Sequence, residues 1–205
     1  MAPGKAAVQR ATAPGVYSSD SSGTIDVGAL GKQDAKGTQT LTISPIKAGS
    51  QHSSLHGDQG DTDQDLLVRD TGTYIADLTI TSPAFGRQAK EFRPSPAVLL
   101  VPEPAKIGAA WSWGGVSTDG KTHVSTTNKI ARSETVTIGG KAVPCVVVQT
   151  HLVLSGDVTY DAQVTTWYAP GYRLAVKDHT LGKGSYAGTM FTTDISTLLR
   201  SVTPA

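Results

Sequence analysis

Cysteine is almost missing: Cys145 is the single one in 205 residues, which rules out an intramolecular disulfide and any zinc site built on several thiolates. It lies between Pro144 and Val146 in an apolar stretch, the setting of a buried thiol that behaves as a small hydrophobe. No run approaches the ~20 apolar residues of a membrane-spanning helix, so no transmembrane segment is expected in the chain. Residues 1–14 lack the apolar core of a signal peptide. Charge is scarce as well, at 17% of residues with a formal net charge of +1, and the Lys and Arg positions are scattered. That leaves no basic footprint, and nucleic acid is excluded as an expected partner. Helix signals are poor because Gly, Pro or clustered β-branched residues interrupt most windows before helical length is reached.

What is present is strand after strand. Along residues 144–154, Val146, Val148, Leu152 and Leu154 share one face, while Cys145, Val147, Val153, Gln149 and His151 share the other, so one side is strongly apolar and the other mixed. After the turn Ser155, Gly156, Asp157, the residues Val158, Tyr160, Ala162, Val164 and Tyr168 alternate with Thr159, Asp161, Gln163 and Thr165. Ala169, Pro170 and Gly171 reverse the chain, and Tyr172, Leu174 and Val176 resume the alternation. A further turn is expected at Leu181 to Gly184, leading into residues 186–193. Such short connections join antiparallel neighbours.

Earlier in the chain, residues 38–46 and 74–81 alternate as strands, residues 66–69 form another, and residues 51–55 are a further candidate. The segment 82–105 contains Pro83, Pro94, Pro96, Pro102 and Pro104, so it is expected as an edge or a crossing connection that divides two sets of strands. Beyond it, residues 110–113, 123–128 and 133–138 read as strands, with Gly139 and Gly140 as a compact hairpin turn. In the tail, Phe191, Ile195, Leu198, Leu199 and Val202 fit a helical period, but the Thr-rich sequence favours a last strand. The fold class expected is all-β with at most a minor helix: a large, curved antiparallel meander that hides its apolar face as a barrel, half-barrel or sandwich. Residues 1–14, rich in Ala and Pro, are expected as a flexible tether and residues 15–205 as a single β domain.

Candidate chemistry is thin. His52 and His56, followed by Asp58, Asp61, Asp63 and Asp65, form the densest set of donors. Their H-x3-H spacing serves a metal only on a helix, which Ser53, Ser54 and the glycines oppose. A calcium loop fails at Leu66, where glycine is needed, and at Gly72, where an acid is needed. The cluster therefore reads as a solvated acidic loop, and no metal or cofactor is expected. No G-x-S-x-G occurs. His151 and His179, on or near adjacent strands with Asp161 and Asp178 close in sequence, keep a histidine-centred hydrolase as the alternative function. The glycine groups at 114–115, 139–140 and 182–188 are turns and not phosphate loops. Trp111, Trp113 and Trp167 with Tyr160, Tyr168 and Tyr172 supply the large aromatic surface, with Trp111 and Trp113 on one face of their strand. Either these rings fill and seal the core, or Trp111, Trp113, Tyr168 and Tyr172 line the mouth of an apolar cavity and bind its ligand.

The phrases VLLVPEPAKIGAAWSWGG, ETVTIGGKAVPCVVVQT and TTWYAPGYRLAVKD, within roughly residues 92–204, resemble the pattern of uncharacterised extracytoplasmic proteins of actinobacteria. More distantly they resemble DUF3108-type bacterial proteins, and more remotely the open-barrel lipoprotein carriers that shelter acyl chains. The resemblance implies a secreted or membrane-tethered β domain and transfers no catalytic residue. Low charge and the abundance of Gly, Thr, Ser and Val agree with an extracytoplasmic location. The function expected is a non-enzymatic domain that binds a hydrophobic or lipid-like small molecule or an envelope protein. A purely structural or adhesive surface module is the remaining reading.

Overall fold

The computed structural model describes residues 11–28, 31–58, 60–82 and 88–205. Most of the expected tether, residues 1–10, lies outside them. Thr12 and Ala13, at its end, are tied to the domain: the Thr12 hydroxyl donates to the Arg173 carbonyl at 2.7 Å, Gln51 Nε2 donates to the Thr12 carbonyl at 2.8 Å, and the Tyr17 hydroxyl donates to the Ala13 carbonyl.

Turn residues cut the described chain into strands, with no α-helix among the described residues. β1 (Gly15–Asp26), β2 (Lys32–Asp34), β3 (Gly37–Ile43), β4 (Ser50–Gly57), β5 (Asp61–Arg69), β6 (Gly72–Thr81), β7 (Ala89–Phe92) and β8 (Val98–Pro102) make the first half. β9 (Ala110–Val116), β10 (Thr122–Ile138), β11 (Lys141–Gly156), β12 (Val158–Ala169), β13 (Leu174–Tyr186) and β14 (Thr189–Leu199) make the second. All belong to one antiparallel sheet whose path runs β7-β6-β5-β4-β3-β1-β14-β13-β12-β11-β10-β9, with β2 beside β1 and β8 beside β6. Two meanders are thus joined where β1 pairs β14, from Ser19 opposite Leu199 to Asp26 opposite Thr192.

The two ends of this path come together, giving a nearly closed barrel. Phe92 at the end of β7 bridges Ser117 just after β9, and the Thr118 N–H donates to the Glu91 carbonyl at 2.8 Å. Lys90, only 4% exposed, extends its ammonium from β7 to Asp119 at 3.0 Å and Asp157 at 3.6 Å. Burial works against its charge, but the two carboxylates outweigh burial and its pKa rises. Asp119 is held well below the usual carboxylate range by the Ser117 hydroxyl, the Lys121 N–H and Lys90. Closing the seam leaves few unpaired strand edges. β7 and β8 sit at that edge, where the N–H that Pro102 of β8 lacks costs least.

Three buried clusters hold the barrel. One spans Leu66, Ile75, Leu78 and Phe92 on one wall and Val124, Leu154, Val158 and Phe191 on the other. A second gathers Val101, Ile130, Val146, Val148 and Tyr168 near the seam. The third joins Tyr17, Ile43 and Leu199 to Val143, Cys145, Val147, Trp167 and Ala169. Its make-up explains the mixed face of β11. A bulge at Ala131 offsets β10 against β11 by one residue, and beyond it both faces of β11 are covered, so Cys145 and Val147 are buried as well as Val146 and Val148. The Cys145 thiol is raised by burial.

Several expectations need correction. Residues 123–128 and 133–138 are one strand, β10, interrupted only by that bulge. Asp61, Asp63 and Asp65 lie on β5 and not in a loop, so the acidic loop is a hairpin wall. The turn expected at Leu181 to Gly184 is the body of β13, and the chain turns instead at Ala187 and Gly188. The allowance for a minor helix is met by no α-helix in the described residues, and the tail is β14.

Gly182 and Gly184 are in the strand because an aromatic ring occupies the space a side chain would need. A Cβ on Gly182 would run into the Tyr160 hydroxyl and ring, and one on Gly184 would run into the Thr159 carbonyl oxygen and stand 2.8 Å from the Phe191 ring. Tyr160 lies across them, stacked on Phe191 at 5.7 Å with its hydroxyl 2.6 Å from Thr193 Oγ1. Gly182→Ala is therefore expected to lower stability by about 1–3 kcal/mol through overpacking. Urea or thermal unfolding measures this, and unchanged stability would show that the ring is not held there.

Candidate ligand-binding cavity

Inside the barrel lies a cavity of about 700 Å³, within the roughly 300–1,000 Å³ typical of small-molecule sites. Its wall is mostly apolar and comes from both halves of the sheet: Leu41, Leu66 and Ile75 from the first, Leu152, Val164 and Ile195 from the second. Ile43, Leu174, Val176 and Leu199 belong both to this wall and to the third cluster, so one end of the cavity rests on packed side chains. Elsewhere it reaches Gly60, Thr81 and Ser82, where β5 begins and β6 stops.

The histidines of β4, β11 and β13 pair with carboxylates on the outside of the barrel. His52 is hydrogen-bonded to Asp65 at 2.9 Å, His56 to Asp61 at 3.1 Å, His151 to Asp161 at 2.9 Å and His179 to Asp194 at 3.0 Å, all between neighbouring strands and all exposed. This polar-out, apolar-in alternation is the reverse of a membrane-spanning barrel, whose lipid-facing side is apolar. Among the described residues no helix is long and apolar enough to cross a membrane.

Of the aromatic candidates, Trp113 and Tyr168 stand on the cavity wall. Burial raises the Tyr168 phenol. Trp111, on the same face of β9 as Trp113, packs against the cluster at the seam. Tyr172 is in the turn after β12 and is 40% exposed.

The histidine candidates do not assemble as the hydrolase alternative requires. β12 lies between the strands of His151 and His179, and Asp178 turns away from His179 to the inside. A serine, histidine and carboxylate do meet elsewhere: Ser54 Oγ is 2.6 Å from His56 Nε2, and His56 Nδ1 is 3.1 Å from Asp61 Oδ1. This trio sits on the outer face of a hairpin, with His56 57% exposed. The Ser54 position lies within the β3–β4–β5 ladder and not on a strained elbow, so no pair of free N–H groups is presented to an oxyanion. We read it as part of the outer polar ladder. No group of three or more His, Cys, Asp or Glu side chains is placed to hold a metal among the described residues.

The residue that sequence reasoning missed is Asp178, named there only as a carboxylate close in sequence to the histidines. It lies opposite Thr166 on β12 and Thr197 on β14, and its Oδ1 accepts from the Thr166 hydroxyl at 2.6 Å. The residue is half-buried, and it belongs to the cavity wall. Its signal was legible: the alternation Leu174, Val176 runs on to an acid where an apolar residue belongs. A bulge at Val176 intervenes, yet the pairing with Thr166 still turns Asp178 inward. Arg173, also on the wall, lies 3.6 Å from Glu103.

No family model matches the chain, and no curated protein matches it. The likeness to actinobacterial and DUF3108-type proteins thus rests on the quoted phrases alone. Among solved structures, the chain is similar to the hypothetical lipoprotein YmcC from Escherichia coli, at TM-score 0.43 and 15% identity over 92% of this chain and 86% of that one. It is similar to a lipoprotein candidate from Parabacteroides distasonis at TM-score 0.43 and 10% identity, over 96% and 99%. A third similarity is to an exported-protein candidate with a YmcC-like fold from Bacteroides fragilis, at TM-score 0.37 and 8% identity, over 92% and 97%. These likenesses are too distant to bring a function with them.

Burial raises the Asp178 pKa, while the hydroxyls of Thr166 and Thr197 offset part of the rise. A folded pKa above the unfolded value of ~3.9 means the native state holds its proton longer, so this carboxyl destabilises the fold increasingly as pH climbs through that interval. Asp178→Asn is therefore expected to melt a few degrees above the unsubstituted protein at neutral pH, with the gap closing as pH falls to about 3.5. Calorimetry across pH reads this directly. A lower melting point for the variant at neutral pH would mean the carboxylate has a compensating partner.

Proposed function

We propose that this protein is an extracytoplasmic, non-enzymatic β-barrel that holds a hydrophobic or lipid-like ligand inside its sheet. The observation that carries the reading is the apolar cavity of about 700 Å³ bounded by both meanders. A barrel of about eight strands is just wide enough for side chains to fill, and the path of this sheet has twelve. Space is therefore left inside the wider sheet. Exposing such a surface to water is unfavourable by about 25 cal/mol per Å², so an alkyl chain entering it gains what the empty barrel forgoes.

The cavity favours a ligand over an envelope-protein partner, because an enclosed wall admits a chain and not a folded surface. Trp113 and Tyr168 are the ligand-contacting aromatics in this reading; Trp111 and Tyr172 would act from outside the cavity, at the seam and at the turn after β12. The extracytoplasmic location is part of the proposal, supported by the low charge and the Gly-, Thr- and Ser-rich composition.

Protein isolated from its host under non-denaturing conditions is expected to carry a mass excess in native mass spectrometry that disappears after organic extraction. The extracted protein is then expected to bind the fluorescent apolar probe N-phenylnaphthylamine. Bare polypeptide mass from the host together with no uptake of the probe would contradict the reading.

A further inference from the structure

The cavity is not uniformly greasy: its wall includes neutral polar residues such as Gln39, Asn128 and Thr150, and one row that carries a carboxyl. Val148, Thr166, Asp178 and Thr197 are consecutive cross-strand neighbours on β11, β12, β13 and β14. All four belong to the cavity wall. Val176 and Leu199 adjoin this row toward one end and Val164 and Ile195 toward the other; the neutral Thr150 beside Val164 donates its hydroxyl to Asn128 at 2.8 Å. A carboxyl in such a place is costly unless something answers its charge. Thr166 and Thr197 supply only neutral hydroxyls.

The other charged side chains of the wall are already answered. Asp61 meets His56 at 3.1 Å, and Arg173 faces Glu103 at 3.6 Å. Among the described residues, Asp178 is the charged wall residue with no ion pair. An anionic head group would find no free cation here: Arg173 is neutralised by Glu103, and its Nη1 is sealed among protein atoms without a hydrogen-bond partner.

We propose that the cavity selects a long-chain amine, its alkyl part along the apolar wall and its protonated amino head against Asp178 between Thr166 and Thr197. This rests on the reading of the barrel as a carrier of an apolar chain, and it adds the head group. The ammonium donates to the carboxylate beside the two threonine hydroxyls and supplies the charge that the wall does not. A hydroxyl head could accept or donate at the same place but would leave the charge unanswered, and a carboxylate head would be repelled.

The test is displacement of N-phenylnaphthylamine from the extracted protein at neutral pH by dodecylamine, dodecanol and dodecanoate, each below its aggregation concentration. Dodecylamine is expected to displace the probe at concentrations about tenfold lower than either of the others, the effect of one charge-assisted hydrogen bond. Asp178→Asn keeps an acceptor oxygen for Thr166 and, with displacement referred to its own affinity for the probe, is expected to lose the preference for the amine. Thr166→Lys, which supplies an ammonium from the wall itself, is expected to abolish it too. Equal potency of the three compounds, dodecanoate as the strongest, or an amine preference that survives Asp178→Asn would each overturn the assignment of the head group while leaving the carrier reading standing. Failure of the probe and of all three compounds to bind would instead overturn the carrier reading, and this proposal with it.

Discussion

The pairing of β1 with β14 is the constraint on which everything else depends. Two antiparallel meanders, each with one apolar face, are made into a single wall by this ladder between segments nearly the whole chain apart. The C-terminal residues extend it: the Arg200 N–H donates to the Ser18 carbonyl and the Ala205 N–H to the Val16 carbonyl, while Arg200 and Asp20 form an exposed ion pair. With the halves joined, the sheet is too wide to remain flat, and its outer edges meet where Phe92 bridges Ser117. Loop closure over such a separation is slow but costs little more than closure of a shorter loop, so the price is one of folding time and not of stability.

Curvature then decides what is inside. At the strand ends, clusters reach across the barrel and fill it. Between them the wall carries glycine and alanine together with Thr and Val, and the volume stays open. Tyr160 illustrates the balance: its ring is laid over Gly182 and Gly184 instead of pointing at the centre. The same low-dielectric interior that suits an alkyl chain makes Asp178 conspicuous, since a polar group away from water needs a partner and gains most from a charged one.

Much of the architecture was legible because alternation in residues 144–168 and 74–81 is nearly strict and the turns between are short. The failures have physical causes. β1 was not read as a strand because its inward residues after Tyr17 are Ser19 and Ser21, both buried, so the strand that joins the two meanders carries almost no apolar alternation. Gly182 and Gly184 looked like a turn because the ring that fills their space comes from another strand. The interruption in β10 was a bulge and not a loop. That Trp111 and Trp113 share a face could be read from their spacing; that Trp113 reaches the cavity and Trp111 the seam could not, since it depends on how the sheet curls. Asp178 was visible as an acid in an apolar alternation, but its setting between Thr166 and Thr197 is a matter of register across three strands.

The claim beneath the functional account is that the barrel interior is open and apolar. Crystals of the extracted protein pressurised with xenon address it most directly, because xenon enters dry apolar cavities and scatters anomalously. The account predicts xenon peaks inside the sheet between the inward residues of β12 to β14 and those of β4 to β6. An interior without xenon, in which side chains from the two walls touch and fill the space, would contradict it.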